Sequence, residues 1–272
     1  MNRAIDAVIP WLPAALRRAV RSRLIDPVIC HYTGLRSTRA TRPQDVFICG
    51  YPRSGHTWLQ YLISAVVYGV NAEHANDALV NFLVTDVHVH DYFFPFGPVC
   101  FFKSHFLPQP HYRRIVYILR DGRDAMVSYY HYLRATEKEN VDLLDRLRRK
   151  DLFPSLWHEH VEAYSANPYN AEILTIRYED LHADAAAQMR RLADFAGLNL
   201  ANDWIAAKSA TTDFDKMRRR EAVHGWQNPA WKPENQFIRR GKIGSYMDEM
   251  PADVLALFLS QAGQTLKQSG YL

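Results

Sequence analysis

A chain of 272 residues with 48% apolar and 23% charged side chains has an ordinary globular composition and enough apolar material for a sizeable core, in one large α/β domain or two small ones. A formal net charge of +4 is too small for a nucleic-acid coat, and no stretch approaches the ~20 apolar residues of a membrane span. Three cysteines, Cys30, Cys49 and Cys100, form neither a metal spacing nor a disulfide framework, which points to a reducing, cytoplasmic compartment.

The N-terminus carries Ile5, Val8, Ile9, Trp11, Leu12 and Leu16, followed by Arg17, Arg18, Arg21 and Arg23. Pro10 and Pro13 interrupt the apolar part and no small-residue cleavage site follows, which argues against a signal peptide. Two readings stay open: peripheral contact with an anionic membrane, or packing against the domain, with the second favoured. Residues 1–42 are therefore set apart as a helical, basic segment, and 43–272 as the domain.

Four short apolar runs predict strands: Val46–Cys49, Val99–Phe102, Ile115–Leu119 and Ile173–Ile176. Helical patterns cover Trp58–Tyr68, Asp124–Arg134, Ala185–Ala196 and Ala252–Lys267, with Gly197 as a stop for the third and Pro251 in the first turn of the fourth. Apolar strands without polar alternation, alternating with helices, predict one α/β domain: a central parallel sheet flanked by helices, like the P-loop nucleotide kinases. Ala135–Ser165 reads as a charged helical insertion. Arg220–Gln236, with Pro229 and Pro233, reads as a long, lid-like loop. The ligand of an open α/β sheet lies beyond the carboxyl ends of its strands. The residues there are Arg53, Lys103, His105, Arg120 and Tyr178.

Three segments carry chemistry. VFICGYPRSGHTW at Val46–Trp58 is a strand, a glycine-bounded turn and a helix start, the arrangement that wraps backbone N–H groups around a phosphate or sulfate. Gly50 and Gly55 have the P-loop spacing, but His56 stands at the lysine position, so the fixed cation is Arg53. Arg120-Asp121-Gly122-Arg123-Asp124 then leads into a helix with Ser128 about one turn in. An arginine with a hydroxyl makes a second anion site, and the plainer reading is a surface Arg–Asp pair. Phe237-Ile238-Arg239-Arg240-Gly241-Lys242-Ile243-Gly244 places two arginines before a glycine that permits close backbone approach, or is a solvated basic turn.

Together these segments resemble the sulfotransferases that use 3′-phosphoadenosine 5′-phosphosulfate (PAPS). GYPRSGHTW resembles the family's 5′-phosphosulfate loop, RDGRDAMVSYYHY its 3′-phosphate segment and FIRRGKIGSY its closing segment. FFKSHFLP, IRYEDL and TDFDKM resemble three further stretches, in the family's order. The resemblance implies that Arg53, Ser54, Gly55, His56 and Thr57 hold the 5′ phosphosulfate. Arg120, Ser128, Arg239, Arg240 and Gly241 would hold the 3′-phosphate. Trp58 and Phe214 would sandwich the adenine, with Tyr178 and Thr212 at its edge. His105 would be the general base, with Lys103 and Arg53 assisting.

The chemistry agrees. Sulfuryl transfer needs a base for the acceptor's proton, and a histidine with an unperturbed pKa near ~6.5 suits neutral pH. The donor is already activated, so no metal is expected. Arg53 replaces the common lysine, and an arginine can only stabilise charge. His56 replaces a threonine and competes with His105 as the acid–base group. Ser245 and Tyr246 stand where the family often has Asp-Trp. The family's C-terminal dimer motif has no match, which leaves the oligomeric state open.

Phe82, His88, His90, Tyr92, Phe93, Phe94 and Phe96 suggest an apolar or aromatic acceptor pocket, or else a packed cluster. His88, His90 and Asp91 lack a further metal ligand. The acceptor is a small molecule, a sugar or a lipid, sulfated on oxygen or nitrogen; no nucleic-acid partner is expected. Two rivals stand: a P-loop kinase, which needs a lysine after Gly55 and an acid such as Asp121 for Mg2+, and a catalytically silent binding protein.

Overall fold

The computed structural model describes residues 13, 16, 19–136, 142–225 and 237–272. In chain order, α1 (Asp26–Thr33) precedes β1 (Arg36–Ser37) and β2 (Val46–Cys49). Next come α2 (His56–Tyr68), α3 (Asp77–Leu83), β3 (Val84–Asp86) and β4 (Tyr92–Phe93). β5 (Phe101–Ser104), β6 (Arg114–Leu119), α4 (Gly122–Thr136), α5 (Leu143–Arg149) and α6 (Trp157–Ala166) follow. After β7 (Glu172–Arg177) come α7 (Tyr178–Ala183), α8 (Ala185–Phe195), α9 (Asn202–Ser209), α10 (Phe214–His224), α11 (Tyr246–Glu249) and α12 (Ala252–Gln268).

Five strands form one parallel sheet in the order β3-β5-β2-β6-β7. Alternate residues of β2 go to opposite faces. Phe47 and Cys49 join Phe102, Ile115, Trp157 and Phe258 on one side. Val46 and Ile48 join Phe101, Val116, Leu59, Leu62 and Met189 on the other. With helices over both faces, both halves of each central strand are buried, and their sequences read as unbroken apolar runs. The chain leaves β2 for the edge at β3, returns to β5, then crosses β2 to reach β6. That reversal opens a crevice at the carboxyl ends of β5, β2 and β6.

The sheet differs from the sequence expectation in two places. β5 starts at Phe101 rather than Val99, because the Cys100 N–H donates to Asp45 Oδ1 (2.9 Å) instead of joining the ladder. β3 was not expected at all: Val84-Thr85-Asp86 has one apolar residue and follows a helix without a turn.

The region 135–165 is less of a surface appendage than its charge suggested, since Leu143, Leu147 and Trp157 are buried in the core. The expected lid-like loop overlaps a helix at its start: α10 runs through position 224, and 226–236 lie outside the described residues. Arg220, expected to open that loop, lies within α10. It is 2% exposed and its guanidinium donates to Asp77 (2.8 Å) and to the Ala75 carbonyl (2.5 Å). Near the N-terminus, β1 pairs antiparallel with β4, and the Tyr92 hydroxyl donates to Asp26 (2.7 Å). Leu24, Val28 and Tyr32 are exposed at helical spacing. Among the described residues no helix is long and apolar enough to cross a membrane.

Candidate active site

A cavity of about 550 Å³ lies over the crevice. Every residue assigned to the site from sequence lines it except Ser54 and Thr212. Ser54 is buried beneath the loop, its Oγ without a hydrogen-bond partner among the described residues. Thr212 is buried too, and its hydroxyl donates to Ser209 O (2.9 Å). Its carbonyl accepts from Trp58 Nε1 (2.7 Å), so Thr212 orients the indole and does not face the cavity.

The loop after β2 turns tightly before α2. Gly55 has φ 107°, and a Cβ there would come within 2.7 Å of the Tyr178 ring. Arg53 takes a left-handed backbone (φ 69°) without being glycine. Its side chain is turned toward the second anion segment: Nε donates to Ser128 Oγ (3.1 Å) and Nη2 to the Phe237 carbonyl (3.2 Å), with the Phe237 ring 4.1 Å below. Burial, then the neighbouring Arg120, lower its pKa to about 10, which leaves it charged at neutral pH. Arg120 is buried, donates from Nη1 to the Arg53 carbonyl (3.1 Å) and lies 4.2 Å over the Tyr178 ring. Its Nε has no partner among the described residues.

His105 follows β5. Its Nδ1 lies 3.1 Å from the Gly50 carbonyl, which can only accept, so Nδ1 carries the proton and Nε2 the lone pair. Burial, then the Lys103 charge, push the imidazole pKa well below its usual value, and the ring is neutral at pH 7. Lys103 is anchored to Asp86 of β3 at 2.9 Å. His88 Nε2 accepts from the His105 N–H (2.8 Å), and His160 Nε2 approaches the His105 carbonyl at 3.3 Å. The His56 ring meets His105 edge-on at 4.3 Å. His56 is only 3% exposed although it lines the cavity, and burial holds it neutral.

The third segment closes the cavity from the far side. Asp124 of α4 accepts from the N–H groups of Gly244 (2.7 Å) and Tyr246 (3.0 Å), tying the second segment to the third. Gly241 has φ 60°, and a Cβ there would come within 2.2 Å of the Phe214 ring. The Tyr178 hydroxyl donates to the Gly241 carbonyl (3.3 Å). Arg239 and Arg240 line the cavity, but both are engaged by Glu249.

Most of the aromatic run lies elsewhere. Phe82, Phe94 and Phe96 pack on one another, Phe93 packs on Phe102 in the core, and only His88 of the named group reaches the cavity. The wall near His105 is formed by His88, Val89, Tyr129 and Phe153 instead. Asp86, His182 and Glu249 escaped the sequence reading, and Asp124 was read there only as part of the second segment, with no role of its own. Asp86 lies two residues before His88 and His182 directly after the IRYEDL stretch, but type and spacing gave neither a role. Among the described residues no three His, Cys, Asp or Glu side chains gather as a metal set. Asp121, the acid a kinase would need, is paired with Arg123 at 2.7 Å.

A sulfotransferase domain model matches residues 43–270. Sulfotransferase 1C2 of Oryctolagus cuniculus is 25% identical, over 75% of this chain and 77% of its own. Cytosolic sulfotransferase 17 of Arabidopsis thaliana is 25% identical, over 85% of this chain and 77% of its own. A solved retinol dehydratase in complex with androsterone and inactive cofactor PAP superposes with a TM-score of 0.63 at 22% identity, covering 84% of this chain and 82% of that one. Mouse sulfotransferase SULT7A1 complexed with PAP gives 0.58 at 18% identity, covering 85% and 90%. At those identities the likeness is one of fold. The domain match spans most of the sequence, and the chain belongs to the sulfotransferase domain family.

Proposed function

We propose that the chain transfers a sulfuryl group from PAPS to a hydroxyl or amine of a small molecule, with His105 as general base and no metal. The observation that carries this reading is the Nδ1 contact of His105 with the Gly50 carbonyl, which leaves a neutral, unprotonated Nε2 beside the anion-binding loop. The solved relatives bound to PAP, the desulfated nucleotide, support the choice of donor. A kinase is not favoured: the loop lysine is absent and Asp121 is committed to Arg123.

The residues present fit the donor. Ser54 Oγ and Arg120 Nε are buried polar atoms in need of partners. The loop from Arg53 to Thr57 and the α2 N-terminus would hold the 5′ end, where the helix dipole favours negative charge. Arg120, Ser128, Arg239, Arg240 and Gly241 would hold the 3′-phosphate. Trp58 and Phe214 would flank the adenine, with Tyr178 beside it. When bound, PAPS supplies an activated sulfuryl group.

The chain's own part is proton handling and charge. His105 Nε2 takes the acceptor's proton as the acceptor attacks. Burial, joined by the Lys103 charge that Asp86 holds beside the ring, keeps it from being protonated beforehand. Arg53 offers a permanent cation for charge growing on the leaving group. The Tyr129, Phe153 and Val89 wall favours an acceptor with an apolar body, a lipid or aromatic alcohol or amine rather than a sugar.

Residues 43–272 would then be the catalytic domain, working in the cytoplasm, with the segment before it attached through β1. The exposed stripe of Leu24, Val28 and Tyr32 supports peripheral contact with an anionic membrane. Sedimentation with anionic vesicles tests this, and an unbound protein would overturn it. For the activity, purified protein is incubated with 35S-labelled PAPS and lipid or small-molecule extracts. Labelled product together with PAP uptake in equilibrium dialysis is expected; absence of both would overturn the proposal.

A further inference from the structure

Glu249, the last residue of α11, belongs to none of the three chemical segments. Its carboxylate accepts four hydrogen bonds from three side chains: Arg239 through Nη1 (2.5 Å) and Nη2 (3.0 Å), Arg240 through Nη1 (2.8 Å) and His131 through Nε2 (3.0 Å). Arg239 and Arg240 line the cavity, and Glu249 does not. His131 lies three residues after Ser128 on α4 and so shares its helix face. A carboxylate gripped by two guanidinium groups and an imidazole N–H is the arrangement in which a bound oxyanion is found.

We propose that Glu249 is an internal anion that competes with the nucleotide's 3′-phosphate for Arg239 and Arg240, and thereby sets how strongly the protein prefers a bisphosphate nucleotide over a monophosphate. This rests on the reading of the cavity as a PAPS site. Burial alone would raise the Glu249 carboxyl, but the hydrogen bonds from Arg239 and Arg240 outweigh it and bring its pKa down to about 2, so it is charged throughout the neutral range. Burial, then Arg239, lower the His131 pKa, so that ring donates as a neutral group. The cluster of two arginines, one glutamate and one neutral histidine therefore carries one net positive charge. Without the glutamate it carries two, and both guanidinium groups need a new oxyanion. Arg239 and Arg240 are partly exposed, so solvent screening limits the gain.

The test is calorimetric binding of PAP and of adenosine 5′-monophosphate, which lacks the 3′-phosphate, to the full chain and to Glu249→Gln. Binding of PAP tighter by about five- to tenfold, with the monophosphate unchanged, is the expected result. Unchanged or weaker PAP binding in the variant overturns the inference, as does equal tightening of both nucleotides. If the unmodified chain binds PAP no better than the monophosphate, the donor reading itself falls, and the inference falls with it. Unchanged monophosphate binding also reports a folded site; should the glutamine variant not fold, Glu249→Ala carries the same expectation.

Discussion

His105, Arg53 and Arg120 stand on turns directly after β5, β2 and β6, and main-chain carbonyls meet their polar atoms: Gly50, Phe237 and Arg53 respectively. Arg239, Arg240 and the Gly244 N–H stand on a stretch with no strand, and carboxylates meet them: Glu249 and Asp124. The first half is fixed by sheet geometry, and its one carboxylate, Asp86, pairs with Lys103 rather than with these three. The second is held by charge, some of which a ligand can replace. Chemistry is placed where the backbone is rigid, and nucleotide affinity is set where ionic partners can exchange.

The largest test of this contrast is His105→Ala. Turnover should fall by about 10²–10⁴-fold while PAP affinity stays within about twofold, read from single-turnover transfer and calorimetry. If His56→Ala has that effect instead, the base is the enclosed ring and the assignment moves. Arg53→Ala should lower turnover by about 10²–10³-fold, as for loss of one charge-stabilising contact. Unchanged turnover would remove Arg53 from the chemistry.

A pH series sharpens the contrast further. The folded His105 pKa lies below its ordinary value of ~6.5, so the ring stays unprotonated into mild acid. The acid limb of kcat/KM should therefore lie well below pH ~6.5, and a limb at or above that value would contradict the buried, neutral base. The sign for stability follows. Below about pH 6.5 the unfolded chain takes up this proton and the folded one resists it, so stability contributed at this site is lost as pH falls. The smallest effect is expected on the loop side. Asp124→Asn keeps one acceptor oxygen for two N–H groups and should cost about 1–3 kcal/mol, seen as a lower Tm with a higher KM for the donor.

The strand-end half was the more legible of the two. β2, β5, β6 and β7 hold apolar runs, and a parallel sheet directs whatever follows them to one edge, so Arg53, His105, Arg120 and Tyr178 followed from periodicity, whereas Lys103, expected just past β5, is its third residue. β3 escaped because an edge strand of three residues needs little apolar signal, and Asp86 escaped with it. Its partner Lys103 is seventeen positions away, and only the register of β3 against β5 brings them together. The loop half was legible in its glycines and arginines but not in its carboxylates. Asp124 precedes Gly244 by 120 residues, and Glu249 sits in a short helix with no periodicity to mark it. The aromatic run misled because side-chain type carries no direction: Phe82, Phe94 and Phe96 found one another, while Tyr129 and Phe153 came from distant segments to line the cavity.

Position 50 has a consequence beyond the tightness of its turn. The oxygen that selects the bare nitrogen of His105 belongs to the peptide bond, and every amino acid supplies an identical one. Genetic drift can distort that turn, but it cannot delete the atom that sets the direction of proton travel. Heritable change can erase the imidazole or the charged side chains around it, but not this acceptor.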